Sequence, residues 1–86
     1  MRIIFSENSW EDYTSWLNED KNMLKKINDL IKEIQRTPYE GKGKPEPLKY
    51  DLAGLWSRRI DREHRLIYSI KDNEILIFGC KFHYDK

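Results

Sequence analysis

Eighty-six residues make room for one small core, burying roughly 60–65% of the unfolded chain's surface, and exclude a cofactor-binding domain beside a catalytic one. Although 36% of the residues are charged, three Trp, five Tyr and three Phe exclude a disordered chain, so residues 1–86 are expected to fold as one domain. The formal net charge of +1 does not by itself point to a nucleic-acid partner, but its distribution is uneven: residues 1–35 hold five Lys/Arg against seven Asp/Glu (net −2), residues 36–86 eleven against eight (net +3).

That excess in the second half fits either a local anion-binding surface or an ordinary solvated face. The single cysteine, Cys80, excludes an internal disulfide and reads as a small buried hydrophobe. No stretch approaches the ~18 apolar residues of a membrane span. The opening Met1-Arg2-Ile3-Ile4-Phe5-Ser6-Glu7 turns polar too soon for a signal peptide, so a cytoplasmic protein with no membrane partner is expected.

In chain order, Arg2 to Phe5 reads as a short strand. Ser6, Asn8 or Ser9 can cap the helix that follows, Asn8 with Glu11 resembling a capping box, and Trp10, Tyr13, Trp16 and Leu17 recur at helical spacing. A second helix is expected from near Asp20. Met23, Leu24, Ile27, Leu30, Ile31 and Ile34 form its apolar stripe, and Pro38 ends it by forcing Thr37 out of helical geometry. The stretch from Thr37 to Leu48 holds all three prolines and two of the four glycines and reads as a loop. Three strands follow. Leu55 to Ile60 places Trp56, Arg58 and Ile60 on one face; Arg65 to Lys71 alternates Leu66, Tyr68 and Ile70; Glu74 to Tyr84 is long and rich in Ile, Leu and Phe. Short turns at 61–64 and 71–74 imply antiparallel neighbours. The expected fold is α+β, two helices covering one face of a mostly antiparallel sheet, with Trp10, Trp16, Trp56 and Phe78 in the core.

The chemistry-bearing residues are few. His64 and His83 with one cysteine do not give a zinc-site spacing, and Gly41-Lys42-Gly43-Lys44 lacks the spacing of a phosphate-binding P-loop, so neither metal nor cofactor is expected. Cleavage of RNA by its own 2′-OH needs a base, an acid and a cation on the phosphate, for which carboxylate, imidazole and guanidinium are natural types. Glu46 sits between Pro45 and Pro47, a stiff stretch of loop. Arg65 opens a strand, with Arg58, Arg59 and Arg62 close in sequence, and can hold phosphate oxygens in a fork. His83 and Tyr84 end the last strand beside Lys81; the tyrosine could stack on a base or close the core. Each of these taken singly also reads as an ordinary surface residue.

Four segments carry a resemblance that runs nearly end to end: Arg36-Thr37-Pro38-Tyr39-Glu40-Gly41-Lys42-Gly43-Lys44-Pro45-Glu46-Pro47-Leu48-Lys49, Leu55-Trp56-Ser57-Arg58-Arg59-Ile60, Glu63-His64-Arg65-Leu66-Ile67-Tyr68, and His83-Tyr84. On these the chain resembles the YoeB toxins of the RelE superfamily. The resemblance implies a RelE-like β-α-α-β-β-β(-β) fold, a homodimer, neutralisation by a YefM-type antitoxin, and cleavage of mRNA in the A site of the 70S ribosome. It matches Glu46 to the family's general base, His83 to its general acid and Arg65 to its phosphate-stabilising arginine, with Lys49, Arg59 and Tyr84 in support. Asp85 and Lys86 follow the His-Tyr pair, where many members end. Two readings of other classes stay beside it: a ParE-like gyrase poison on the same fold, and an RNA-binding module without catalysis.

The site reading makes a demand on the backbone. A strict two-residue turn at Asp72-Asn73 pairs Lys71 with Glu74 and puts Arg65 and His83 on opposite faces of the sheet. For both to reach one phosphate the register must shift, and a bulge near Gly79, where no side chain resists it, is the expected place.

Overall fold

The computed structural model describes residues 1–82. It runs β1 (Arg2–Phe5), α1 (Glu7–Glu19), α2 (Lys21–Arg36), β2 (Glu46–Pro47), a 3-10 turn at Tyr50–Leu52, β3 (Trp56–Arg59), β4 (Arg65–Lys71) and β5 (Glu74–Gly79). The sheet order is β1-β5-β4-β3-β2; β1 lies parallel to β5 and every other pair is antiparallel. This is the expected α+β, RelE-like arrangement, with the optional further strand supplied by the two residues of β2.

Local chemistry sets the helix ends. Ser6 caps α1, its hydroxyl accepting from the Ser9 amide at 3.1 Å. Asn8 therefore lies inside the helix, and the capping box proposed for Asn8 and Glu11 does not form. Ser9 is buried and donates to the Ile77 carbonyl at 2.7 Å, fastening the first turn of α1 to β5. Asp20 joins the helices: its amide closes α1 on the Trp16 carbonyl, and its carboxylate accepts from the Asn22 amide to start α2. Thr37, extended at φ −140° before Pro38, ends α2.

The core lies between the helices and one sheet face. Trp16, Met23, Ile27, Leu30, Ile31 and Ile34 meet Ile60, Leu66, Tyr68, Ile75, Ile77 and Cys80, with Phe5, Tyr13, Leu24, Trp56 and Ile70 packed at the margin. Trp10 is not part of it. It is 53% exposed, stacked on Tyr13 and edge-on to Phe5, because the narrower apolar stripe of α1 turns only Ser9 and Trp16 fully inward.

The hairpin of β4 and β5 carries the expected irregularity. Asp72 and Asn73 have φ of +53° and +61°, as a two-residue primed turn requires, and Lys71 pairs with Glu74. Pairing is regular up to Tyr68 with Ile77; Ile67 then pairs with Gly79, leaving Phe78 as the extra residue of a bulge. Phe78 was expected in the core but is 38% exposed, because it alternates with the inward-facing Ile75 and Ile77 and so shares the outer face with Leu76. β5 also ends at Gly79 rather than running to Tyr84. Beyond it the chain is held by α1: the Cys80 amide donates to the Asp12 carboxylate at 3.1 Å and the Cys80 carbonyl accepts from the Trp16 indole at 3.0 Å.

Candidate functional site

Strand pairing gathers the sequence-predicted residues on the sheet face away from the helices. Glu46 pairs with Ser57, which pairs with Ile67; two residues along β3 and β4, Arg59 pairs with Arg65. Directly paired residues share a face, as do residues two apart on a strand, so Glu46, Arg59 and Arg65 project from one side. The alternate set, Trp56, Arg58, Leu66 and Tyr68, points to the helices. Glu46 and Arg59 stand in a diagonal relation, for which the usual Cα separation is about 7–8 Å; Arg65 is one strand further. Glu46 and Arg59 are exposed and Arg65 is half-buried. Lys49, also exposed, precedes the 3-10 turn just past β2. Among the described residues no ion pair engages Glu46, Lys49, Arg59 or Arg65. His83 and Tyr84 lie outside the described residues.

Each member has its own support. Pro47 sits on an edge strand, where its missing N–H breaks no ladder, and pairs with Trp56. Arg59 donates its amide to the Gly43 carbonyl at 2.6 Å, which brings the Gly43-Lys44 stretch beside it. One guanidinium nitrogen of Arg65, Nη1, donates to the carbonyls of Asp61 at 2.9 Å and His64 at 3.1 Å, folding the side chain over the turn before its strand. That turn is tied by the Asp61 carboxylate, which accepts from the Glu63 and His64 amides at 2.9 and 2.7 Å. Burial pushes the Asp61 carboxyl up, but the two amide donors outweigh it, with the charge of Lys26 adding to their pull, and leave it below the ordinary 3.8.

The loop that presents Glu46 is anchored by residues the sequence reading left unassigned. Arg58 is fully buried. Its guanidinium donates to the carbonyls of Thr37 (2.6 Å), Glu40 (2.9 Å) and Lys42 (2.9 Å), and its Nε donates to the Tyr68 hydroxyl at 3.1 Å. That hydroxyl donates in turn to the Pro38 carbonyl at 2.7 Å. Burial raises the Tyr68 phenol above its ordinary 10, against the pull of Arg58. On the other side Glu33 accepts from the Lys42 amide and from Arg36, and these donors, Arg36 first, hold its carboxyl below 4.5 despite burial. The loop glycines fit this packing: a Cβ on Gly41 would stand 2.1 Å from Glu33 Oε2, and one on Gly43 3.0 Å from both Arg58 Cβ and Leu30 Cδ2. The signal for Arg58 was its place between Trp56 and Ile60 on the inward face; three flanking arginine positions made it look like part of a surface cluster instead.

A carboxylate and two arginines on one side of a sheet, with a lysine three residues along the chain from the carboxylate, are suited to gripping a phosphate and taking a proton next to it. Comparison with known proteins gives the family of the chain. A model of the YoeB-like toxins of bacterial type II toxin–antitoxin systems matches residues 5–84. The Toxin YoeB of Escherichia coli (strain K12) is 58% identical over 84 residues, 98% of this chain and all of that protein. Among solved structures, the YoeB/ParE toxin from Agrobacterium tumefaciens superposes with a TM-score of 0.95 at 48% identity, covering 98% of this chain and 100% of that one. YoeB of Staphylococcus aureus, 52% identical with 98% of each chain covered, superposes with TM-scores of 0.91 as a dimer and 0.90 in a heterotetrameric YoeB-YefM complex. Fold and sequence together define a toxin of the type II toxin–antitoxin class. Within that class the chain belongs to the YoeB-like family.

Proposed function

We propose that the chain is a ribosome-dependent mRNA endoribonuclease that blocks translation by cutting mRNA in the ribosomal A site, without a metal ion. Glu46 takes the proton of the 2′-OH as its oxygen attacks the adjacent phosphorus. The bond from phosphorus to the 5′-oxygen breaks, and His83 gives that oxygen a proton, leaving a 2′,3′-cyclic phosphate and a free 5′-OH. Arg65 holds the phosphate oxygens as charge builds on them, with Lys49 and Arg59 adding positive charge and Tyr84 stacking on a base. The observation that supports this reading is that strand pairing puts Glu46, Arg59 and Arg65 on the same side of the sheet.

The same family likeness supports a partner set. The S. aureus relative is seen as a dimer and with YefM, and this chain is proposed to form a homodimer and to be silenced in the cytoplasm by a YefM-like antitoxin. The test is cleavage of ribosome-bound mRNA by wild type, Glu46→Ala and Arg65→Ala in EDTA, with analysis of product ends. Wild type should yield cyclic phosphate ends, and each variant should lose about a hundredfold or more in rate. Loss of wild-type cleavage on chelation with ribosomes intact, or inhibition of gyrase supercoiling without any cleavage, would sink it.

A further inference from the structure

His64 does not belong to the set above, yet it is buried, at 7% exposure, next to Arg65. Its ring stands edge-on to Trp16, with centroids 4.8 Å apart, and lies 5.2 Å from the Phe82 ring. Its Nδ1 accepts a hydrogen bond from the Phe82 amide at 2.7 Å. An accepting Nδ1 carries no proton, so the ring proton is on Nε2, which faces Glu63 Oε1 at 3.5 Å. The Phe82 carbonyl is held as well, by the Arg65 amide at 3.2 Å. The dipeptide His64-Arg65 thus grips both polar groups of one peptide residue, the first with a side chain and the second with its main chain.

Phe82 needs that grip. Its φ is +64°, the left-handed region that residues bearing a Cβ enter only when their surroundings impose it. Burial does not impose it, since Phe82 is 55% exposed. The bulge at Phe78 and the end of β5 at Gly79 have already taken this stretch out of the sheet ladder. The two bonds to His64 and Arg65 hold both polar backbone groups of Phe82, and the next residue in sequence is His83.

We infer that His64 is a positioning residue for the C-terminal segment carrying His83, acting through its Nδ1 bond to the Phe82 amide; this rests on His83 being the general acid. The imidazole itself touches no substrate. Its part is to bind Phe82, the residue that precedes His83, to the strand that bears Arg65.

The test uses the full-length toxin and three variants. His64→Asn keeps an acceptor at the same distance from the backbone as Nδ1. His64→Gln moves it one bond further out, and His64→Leu removes it. Two readouts are taken: amide exchange at Phe82 by NMR in the free toxin, and single-turnover cleavage against ribosome concentration. His64→Leu and His64→Gln should lose Phe82 amide protection and cut about tenfold to a hundredfold more slowly at an unchanged half-saturating ribosome concentration, the scale expected of a misplaced group. His64→Asn should recover most of both. A packing role alone predicts the reverse order, with Leu and Gln filling the space better than Asn, and that order would overturn the inference. So would a normal rate in His64→Leu with the amide unprotected, or full protection in all three variants. Should His64→Leu fail to fold by circular dichroism, the comparison of Asn with Gln decides alone. A wild-type toxin that never cleaves defeats the proposed function and this inference together, while the amide exchange still shows whether His64 holds Phe82.

Discussion

Arg58 shows how far a single side chain can depart from what its neighbours in sequence suggest. It stands beside Arg59, yet one is fully buried and the other exposed, because successive side chains on a strand face opposite ways. A buried guanidinium is tolerable only when its donors are matched, and among the described residues every buried side-chain nitrogen and oxygen has a partner. Lysine cannot replace it. An ammonium is one compact centre and cannot span three carbonyls and a phenol arranged around a planar fork. Arg58→Lys is therefore expected to lower stability by about 2–4 kcal/mol, as several buried acceptors lose their donors at once. Arg59→Lys, at an exposed position, should change it by no more than about 0.5 kcal/mol. Urea unfolding midpoints of the two variants check this; equal midpoints would mean that the loop carbonyls find water instead. The parity of Arg58 was legible in the sequence, since it alternates with Trp56 and Ile60. Its partners were not, because Thr37, Glu40 and Lys42 reach it only after the loop folds back over the sheet, 16 to 21 residues away in the chain.

At the scale of elements, legibility followed periodicity. The stripe on α2 and the alternation on β4 each correspond to an observed element, and the demand for a register shift located the bulge of β5 beside Gly79. The C-terminal stretch was misread as a continuing strand because apolar composition does not reveal that Asp12 and Trp16 of α1 take over its hydrogen bonds. The two irregular elements nearest the site, the loop 37–44 and the turn 61–64, depend on carboxylates, and this makes them acid-sensitive. Glu33 and Asp61 both titrate lower in the folded chain than their ordinary values of 4.5 and 3.8. Each therefore contributes stability above those values, and the contribution fades as pH falls through the lowered folded values. Glu33→Gln and Asp61→Asn should be less stable than wild type at neutral pH, and the gap should close as pH falls below about 4. Urea midpoints measured from pH 7 to pH 3 test this, and a gap that stays constant would show that the amide bonds tolerate a neutral acceptor. Should either element loosen first, activity would fall before global unfolding, since the loop leads into Glu46 and the turn carries Arg65.

For the whole molecule, charge distribution matters more than total charge. Lys44, Arg59, Arg62 and Arg65 come together at one end of the sheet, because the Arg59 amide bonds Gly43 and Arg59 pairs with Arg65 across the turn that holds Arg62. Against this, the net charge is only +1, so the rest of the surface offers RNA no broad attraction. A compact rim of this kind can neutralise three or four phosphates, which sets a slope of about −2 to −3 for log K against log salt on a single strand. At physiological salt such binding is too weak to collect naked RNA, so under the proposed function the ribosome would supply the substrate in place. The purified toxin should thus cut ribosome-bound mRNA at about 150 mM salt and leave the same RNA intact when the ribosome is omitted, with weak binding to naked RNA returning only near 10–20 mM, where screening lengthens. Its antitoxin should lay acidic and apolar groups over this rim, so that salt slows association of the two proteins more than it speeds their separation. Stopped-flow association across a salt series and a cleavage assay with and without ribosomes measure both. Rapid cutting of naked RNA at 150 mM salt would mean that the toxin carries its own grip on the strand, and that the ribosome only delivers an accessible target.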